Sequence, residues 1–565
     1  MEKRWVYIQE PDEKIVEELS KSLNINPYLS KILAQRGYDS FEAAKDFFRP
    51  SLSQLHDPFL MRQMDVAVNR LTEAIFNKEK ILIYGDYDVD GTTAVSLMYL
   101  FLRRFSDQLD FYIPDRYGEG YGISEKGINH AVENGYQLII ALDCGIRSVD
   151  RAKQAKEGGV DLIICDHHLP GDELPEATAV LDPKQPGCKY PFKELSGCGV
   201  GFKLLEGFCQ QNTIDKEQLY EHLDLLAVSI ASDIVPIVGE NRILTFYGLK
   251  KLNQAPSAGL QSLIEVSGKK KPFTISDVVF SIGPRINAAG RLAHASASVK
   301  LLIGEENETA AFADTLNTHN TERRAFDQSI TQEALEMIEA FQNDRKSTVL
   351  FKETWHKGVI GIVASRCIEH YHRPTIILTE SGGKATGSAR SVDGFDVHEA
   401  IGQCAELLDQ FGGHTHAAGL TLPVENVDKF IERFEEVVSA KIQPEQLVPK
   451  VEIDLEVPLS FINFKSYNVL RQMAPFGPQN LSPVFSTKNV VMDTVPRTMK
   501  DIHAKGFVRS VDGSRLFEFI GFGLADKICS INTGQPFEIA YHLEENNYMG
   551  NRTLVLNLKD VRIDS

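Results

Sequence analysis

The sequence predicts an α/β protein made of a parallel-sheet domain, a long connecting helix, a second α/β domain and a small C-terminal β-barrel. Three observations predict it. Short β-rich apolar runs alternate with helical stretches from Lys80 onward, a helical segment free of Pro and Gly occupies 307–343, and strands with hairpin turns fill the chain beyond about 449. At 565 residues, 43% of them apolar, the chain is too long for one hydrophobic core.

The elements follow in order. Residues 1–45 read as an N-terminal helical cap, with VEELSKSLNI and PYLSKILAQRG carrying apolar positions at helical spacing. Residues 46–306 form the first domain, in which KILIYGD, DFYIPDR, LIIALDCG and DLIICDHH are strands. TTAVSLMYLFLRRF, SEKGINHAVENG and RAKQAKEGG are the helices between them, so the sheet is mainly parallel and doubly wound. Residues 307–345 are the connecting helix, longer than an ordinary globular helix. Residues 346–448 are the second α/β unit, with STVLFKE and PTIILTE as strands and GVIGIVASRCIEHY and VHEAIGQCAELLDQF as helices. Residues 449–565 carry five or more strands, punctuated by the Asp512-Gly513 turn and an Asn-rich turn over 547–552. A closed barrel of the OB-fold type fits them, and such a barrel offers an electropositive groove in which bases stack on aromatic rings. Arg497, Lys500, Lys505, Phe507 and Arg509 are its candidate DNA contacts, while Phe517, Phe519 and Phe522 are assigned to its core.

Composition excludes several classes. No apolar stretch approaches the ~20 residues of a membrane span, and MEKRWVYIQEP has no apolar signal core, so no membrane contact and a cytoplasmic location are expected. The eight cysteines include no C-x-x-C pair and read as reduced thiols. A formal charge of −18 argues against a protein that coats nucleic acid through a basic surface; any nucleic-acid contact must come from a local groove.

The chemistry-bearing residues lie where strands end. Asp86, Asp88 and Asp90 follow the first strand in YGDYDVDGTT; Asp143 and the trio Asp166-His167-His168 follow two later strands, and the helical run LLAVSIASDIVP delivers Asp233. Open α/β sheets bind ligands at such carboxyl ends. Each motif alone has an ordinary reading as a turn, a cap or a surface pair. An EF-hand is excluded, because the Asp-rich segment follows a buried strand and lacks the loop's twelfth-position Glu. Together the motifs resist the ordinary readings: two carboxylates ~4 Å apart repel by roughly 4 kcal/mol at an effective dielectric near 20. Bound cations remove that cost. Oxygen ligands with one or two imidazoles suit Mn²⁺ or Mg²⁺, and two ions suit phosphodiester hydrolysis.

In their order along the chain these four motifs resemble those of the DHH phosphoesterases, over essentially the whole sequence. The resemblance implies a DHH-type parallel-sheet domain and a DHH-associated α/β domain. It implies Asp88, Asp90, Asp143, His167 and Asp233 as metal ligands, with Asp86 and His168 either ligands or supports for the attacking water and the leaving group. Gly283-Pro284-Arg285-Ile286-Asn287-Ala288-Ala289-Gly290-Arg291-Leu292, the stretch from Trp355 to Arg366, and Ala474-Pro475-Phe476-Gly477-Pro478-Gln479-Asn480 are similar to the single-strand exonuclease members of the family. Gly387-Ser388-Ala389-Arg390-Ser391 and Gly412-Gly413-His414 resemble the DHH-associated domain. By that resemblance Arg116, Ser388 and Arg390 bind a terminal 5′-phosphate, and Arg285 and His414 contact phosphates nearer the metals. Arg291 and Arg366 serve either substrate or structure. One departure is Asp182, in Val180-Leu181-Asp182-Pro183, where Asn is the commoner residue of such sequences.

The activity implied is that of a metal-dependent 5′→3′ exonuclease that hydrolyses single-stranded DNA to mononucleotides in DNA recombination and repair, admitting one strand through a narrow passage. A single-stranded DNA-binding protein and a helicase are its candidate partners, and a monomer is the expected state. Two rivals share the motifs: a DHH phosphodiesterase acting on short oligonucleotides or cyclic dinucleotides, and a non-catalytic DNA-binding replication factor.

Overall fold

The computed structural model of the chain describes residues 2–340 and 345–563. It divides into two compact units, one of residues 46–323 with 474–481 and the other of residues 1–45, 324–473 and 482–565. The chain starts with a strand, β1 (Arg4–Tyr7), followed by helices α1 (Glu13–Leu23) and α2 (Pro27–Gln35). The helices match the apolar spacing of the sequence. The four-residue strand has no local signal, because its hydrogen-bonding partner lies far along the chain.

In the unit of residues 46–323, strands β2 (Ile81–Gly85), β3 (Leu109–Tyr112), β4 (Leu138–Leu142), β5 (Asp161–Cys165) and β6 (Ala179–Leu181) form a wholly parallel sheet in the order β3-β2-β4-β5-β6. Both faces are covered, which is why the strands read as continuous apolar runs. Ile81, Ile83, Leu138 and Ile140 enter one core; Leu82, Tyr84, Ile139 and Ala141 enter another. The order reverses at β2 and β4, and the crevice at their carboxyl ends is the topological switch point where such sheets take ligands.

The helices that serve this crevice are α3 (Val89–Leu102), α4 (Gly197–Gln211) and α5 (Leu223–Ser232). Each is buried nearly all round, as a helix inside a large core must be. Beyond them lie α6 (Ala258–Ser267), α7 (Gly283–Leu292) and α8 (Ser296–Ile303). The long helix α9 spans Glu306–Ala340, and the end of the segment predicted for it, residues 341–344, lies outside the described residues.

Strands β7 (Thr348–Phe351), β8 (Thr375–Ser381), β9 (Lys384–Arg390), β10 (Gln410–His414) and β11 (Ala417–Pro423) make a second sheet, ordered β10-β11-β9-β8-β7, with only β7 and β8 parallel. Helices α10 (Ile360–Tyr371) and α11 (Val427–Lys441) accompany it. The last strands are β12 (Lys450–Ile453), β13 (Leu455–Glu456), β14 (Phe485–Met492), β15 (Arg497–Met499), β16 (His503–Ser510), β17 (Leu516–Gly521), β18 (Phe537–Tyr548) and β19 (Asn551–Arg562). Because β14 pairs with both β16 and β18, five strands close a ring, β14-β16-β17-β19-β18, in which only β17 and β19 run parallel. A short helix, α12 (Ala525–Cys529), joins β17 to β18. This is the five-stranded Greek-key ring of an OB-fold.

Within that ring Phe519 is fully buried and Phe517 half-buried, but Phe522 is 56% exposed. The expectation that Phe522 belongs to the core is therefore corrected: Phe519 and Gly521 are the inward positions of β17, so Phe522, just past the strand, has the opposite parity and rests its ring against His503 at 5.2 Å. β1 pairs in parallel with β12, Arg4 opposite Lys450 to Tyr7 opposite Ile453, and the Trp5 indole N–H donates to Asp560 at 2.7 Å.

Close backbone packing fixes α5 in the first unit. A Cβ on Gly248, in the helix Gly239–Gln254, would lie 2.2 Å from the Leu223 carbonyl oxygen and 2.5 Å from the Ala227 Cβ. Gly248→Ala is expected to cost about 1–3 kcal/mol and to weaken metal-dependent stabilisation, because α5 carries Asp233. Thermal unfolding with and without Mn²⁺ checks this, and an unchanged melting curve would show that the helices part freely.

Candidate metal centre

Each acidic segment reaches the crevice for a local reason. β2 delivers Asp86; Asp88 caps α3 by accepting from the Gly91 N–H at 3.0 Å, and Asp90 sits in the first turn of that helix. The Asp90 carboxylate accepts from the Gly197 N–H at 2.7 Å, the Cys198 N–H at 2.9 Å and the Ser229 hydroxyl at 2.6 Å. The N-terminus of α4 thus holds an anion in place. Asp143 follows β4 with φ of 60°, a left-handed conformation that costs a non-glycine residue roughly 1–2 kcal/mol. Gly197 makes room for it, since a Cβ there would stand 2.5 Å from the Asp143 side chain. Asp233 is the C-cap of α5.

The histidines differ in role. His167 is buried, and its Nε2 lies 3.2 Å from Asp143, 3.6 Å from Asp233 and 3.8 Å from Asp90. His168 Nδ1 is 2.7 Å from Asp166, whose carboxylate also accepts from the backbone amides of His167 at 2.7 Å and Ile146 at 2.9 Å. Burial raises the Asp166 pKa, but the His168 contact and the amides outweigh it and bring it down to about 2. Burial lowers the His168 pKa, but Asp166 outweighs it and draws the imidazole above its usual range. Asp166 is thus an orienting partner for His168.

The remaining carboxylates are electrostatically frustrated. Burial first and the charge of Asp88 next push Asp86 well above the carboxylate range, and burial followed by Asp90, Asp88 and Asp233 does the same to Asp143. Burial, Asp90 and Asp88 push Asp233 up to about 9. Oδ1 of Asp86, Oδ1 of Asp143 and both ring nitrogens of His167 are buried without hydrogen-bond partners among the described residues. Two overlapping donor groups result, Asp143–His167–His168 and Asp90–His167–Asp233, each with its ligand atoms within 4.8 Å of one another. Unpartnered oxygen and imidazole donors in a crowded acidic pocket fit hard divalent cations, and thiolates take no part.

The structure thus brings Asp86, Asp88, Asp90, Asp143, His167, His168 and Asp233 together. Arg116 stays close to them, acting on Asp86 and stacking over Tyr87 at 4.8 Å. Arg285 is anchored by the Ser281 carbonyl at 2.6 Å and Asn317 at 3.0 Å. Sequence reasoning missed Ser229, the orienting role of Asp166, the α4 amides, and Tyr121, whose hydroxyl donates to the Asp143 carbonyl at 3.0 Å. A signal for α4 was present, since Ser196 before a glycine-rich helix start is an N-cap pattern.

In the other unit, Ser388 and Arg390 project from one face of β9, and Gly361 in the first turn of α10 lies against both: a Cβ there would stand 2.8 Å from each. Burial lowers the Arg390 pKa; its guanidinium bonds the Ser388 hydroxyl at 3.0 Å and the Ala389 carbonyl at 2.8 Å. His414 shares a cross-strand row with Ala417 and Arg390, and Gly412, Gly419 and Ser388 form the next row, leaving a bare face. A largely buried cation at a helix N-terminus beside bare backbone has the chemistry that suits an anion. On the barrel, Lys505 pairs with Glu518 at 2.8 Å and Arg509 with Asp493 at 3.3 Å, while Phe507 is exposed. Arg366 pairs with Glu369 at 3.3 Å.

Three family models match the chain: the DHH family N-terminal domain over residues 80–230, the DHHA1 domain over 344–440 and the RecJ OB domain over 453–560. The single-stranded-DNA-specific exonuclease RecJ of Bacillus subtilis is 38% identical, covering 99% of this chain and 71% of that protein. Its Escherichia coli counterpart is 31% identical over 95% of this chain and 96% of that protein. The crystal structure of RecJ from Thermus thermophilus in complex with Mn²⁺ superposes with a TM-score of 0.86 at 26% identity, covering 100% of this chain and 80% of that one.

The frustrated carboxylates predict a pH signature. A carboxyl group whose folded pKa exceeds its unfolded one stabilises the fold at low pH and loses that contribution as pH rises through the folded value. For Asp233 the window runs from the ordinary carboxylate range to about 9. The chelated protein is therefore expected to melt at progressively lower temperature as pH rises through that window, with Mn²⁺ abolishing the trend and Asp233→Asn reducing it. A pH-independent melting temperature without metal would contradict this electrostatic account.

Proposed function

The chain belongs to the RecJ family of DHH-domain proteins, and on that premise we propose that it is a metal-dependent exonuclease hydrolysing single-stranded DNA in the 5′→3′ direction to mononucleotides. The observation that carries the reading is the convergence of seven acidic and imidazole side chains, several with unpartnered buried donor atoms, on the switch point of a parallel sheet. Asp88, Asp90, Asp143, His167 and Asp233 are the proposed ligands of Mn²⁺ or Mg²⁺, two ions in all. When bound, these cations supply Lewis-acid activation of the phosphodiester and of water.

The chain's own groups do the rest. Hydrogen bonds from Gly197, Cys198 and Ser229 hold Asp90 in one orientation, and the left-handed backbone at Asp143 aims its carboxylate across the cluster. Asp86 orients the attacking water. His168, whose charged form the Asp166 carboxylate favours, donates to the leaving 3′-oxygen. Ser388 and Arg390 hold the terminal 5′-phosphate and so set polarity, with His414 along the same strand row; Arg116 and Arg285 are phosphate contacts in the unit that holds the metal ligands. The OB ring, with Arg497, Lys500, Lys505, Phe507 and Arg509, holds the strand without reading its sequence.

We assign the protein to recombination and repair in the cytoplasm. It acts as a monomer, with a single-stranded DNA-binding protein and a helicase as recruiting partners. No helix among the described residues is long and apolar enough to cross a membrane. The five-part division of the sequence stands as the proposed domain organisation.

With Mn²⁺ and a long single strand labelled at one end, early mononucleotide release from a 5′ label, gradual shortening of a 3′-labelled strand and a spared duplex are expected. Turnover of dinucleotides without degradation of the long strand would overturn the reading. Asp143→Asn is expected to lower the rate by at least about a thousandfold with DNA binding kept. Arg390→Ala is expected to reduce the preference for 5′-phosphorylated over 5′-hydroxyl ends by about ten- to a hundredfold, as measured by competition between the two substrates.

A further inference from the structure

The segment from Ala474 to Leu481 lies outside the metal cluster and the phosphate contacts, yet it packs in the unit that holds the metal ligands. It forms a tight loop that carries its own hydrogen bonds. Gly477 and Asn480 exchange backbone hydrogen bonds at 3.0 and 2.9 Å, and the buried Asn480 side chain donates to the Pro475 carbonyl at 2.8 Å.

This loop is seated on the residues that follow Asp233. The Ile237 N–H donates to the Pro478 carbonyl at 2.8 Å. The Arg242 guanidinium, lying over the Phe47 ring at 4.0 Å, donates to the Ala474 carbonyl at 3.0 Å. A Cβ on Gly477 would stand 2.5 Å from Ile237 Cγ1, so only glycine lets the loop backbone lie against that fully buried side chain.

The turn between Asp233 and Ile237 needs such a hold. Ile234 has φ of 61°, and left-handed backbone is costly for a β-branched residue. Its side chain is 64% exposed, so little burial of its own offsets that cost. A strained turn persists only where its neighbours over-determine it. On the near side, α5 ends at Asp233, whose N–H donates to the Ser229 carbonyl at 2.9 Å. On the far side, Val235 and Ile237 enter the core, the Pro236 carbonyl accepts from the buried Asn241 side chain at 3.0 Å, and the loop takes the Ile237 amide. Release of that amide would let the turn relax and swing the Asp233 carboxylate off the cluster, where it lies 3.6 Å from His167 Nε2.

We infer that residues 474–481 are a positioning element of the metal centre: Gly477 and the Pro478 carbonyl, acting through Ile237, hold the strained turn that aims Asp233. The inference rests on the reading of Asp233 as a metal ligand. It gives metal affinity a determinant more than two hundred residues beyond the parallel sheet in the chain.

Calorimetric titration of the full chain with Mn²⁺ tests this. The backbone at Gly477 is not left-handed, so in Gly477→Ala the added methyl acts through its contact with Ile237. Gly158→Ala is the control, because a Cβ there would also stand 2.5 Å from a side chain, Val132 Cγ2, but at the opposite end of the sheet, ahead of β5. Gly477→Ala is expected to weaken Mn²⁺ binding at least about tenfold and Gly158→Ala less than about twofold, whatever each does to the metal-free melting temperature. In an Ile237→Ala background, which removes the contacted atom, adding Gly477→Ala is expected to change the affinity by less than about twofold. Equal affinity in the unaltered chain and Gly477→Ala overturns the inference, as does an equal loss in Gly158→Ala or a tenfold loss that persists in the Ile237→Ala background. Should Gly477→Ala not fold, hydrogen exchange in the unaltered chain decides. Coupling is reciprocal, so Mn²⁺ is expected to slow exchange of the Ile237 amide at least about fivefold relative to the Val160 amide at the other end of the sheet, and equal slowing of the two overturns the inference. An unaltered chain that binds no Mn²⁺ would overturn the metal reading and this inference with it, so the two failures are told apart.

Discussion

The repulsion among buried carboxylates at the end of one parallel sheet is the constraint on which the catalytic unit turns. Two such groups ~4 Å apart cost roughly 4 kcal/mol at an effective dielectric near 20, and here Asp86, Asp88, Asp90, Asp143 and Asp233 share one crevice. The surrounding structure keeps them there by fixing each one separately. Backbone amides and Ser229 hold Asp90, a left-handed turn holds Asp143 against Gly197, and a helix end holds Asp233. Either protons or bound cations relieve the charge, so the fold is preorganised for metal at the expense of its own metal-free stability at higher pH.

The other unit states the complementary problem with the sign reversed. Arg390 is largely buried, and the groups its guanidinium bonds are neutral, a hydroxyl and a carbonyl, at the N-terminus of α10 and beside a strip of glycines that leaves backbone exposed. A carboxylate placed there would satisfy it and abolish its use.

Much of this was legible in the sequence, and the pattern of what was not is physical. The strand-end motifs could be read because each is a few consecutive residues, YGDYDVDG or CDHH, that announce both the strand and the chemistry. The OB ring could be read from the alternation of its strands. Contacts between distant segments could not: Ser229 and the amides of Gly197 and Cys198 reach Asp90 across more than a hundred residues, and nothing local in SIASD or SGCGVG names their partner. Phe522 was misplaced because it was grouped with Phe517 and Phe519 as an aromatic, although it has the opposite parity to both in the strand's alternation. Asp166 was visible, but its role depends on which imidazole it touches.

The parallel pairing of β1 with β12 has a consequence for biosynthesis. Residues 4–7 leave the ribosome about 440 residues before the strand they pair with, and at ~5–20 residues per second that is a wait of roughly 20–90 s. During that time Trp5 has neither Val451 nor Asp560 to contact. The parallel-sheet unit can complete its core in the interval, whereas the OB ring closes only once β19 has emerged. A chaperone that shields the nascent N-terminus would act on that short apolar strand, and a fragment beginning near residue 449 would be made without it.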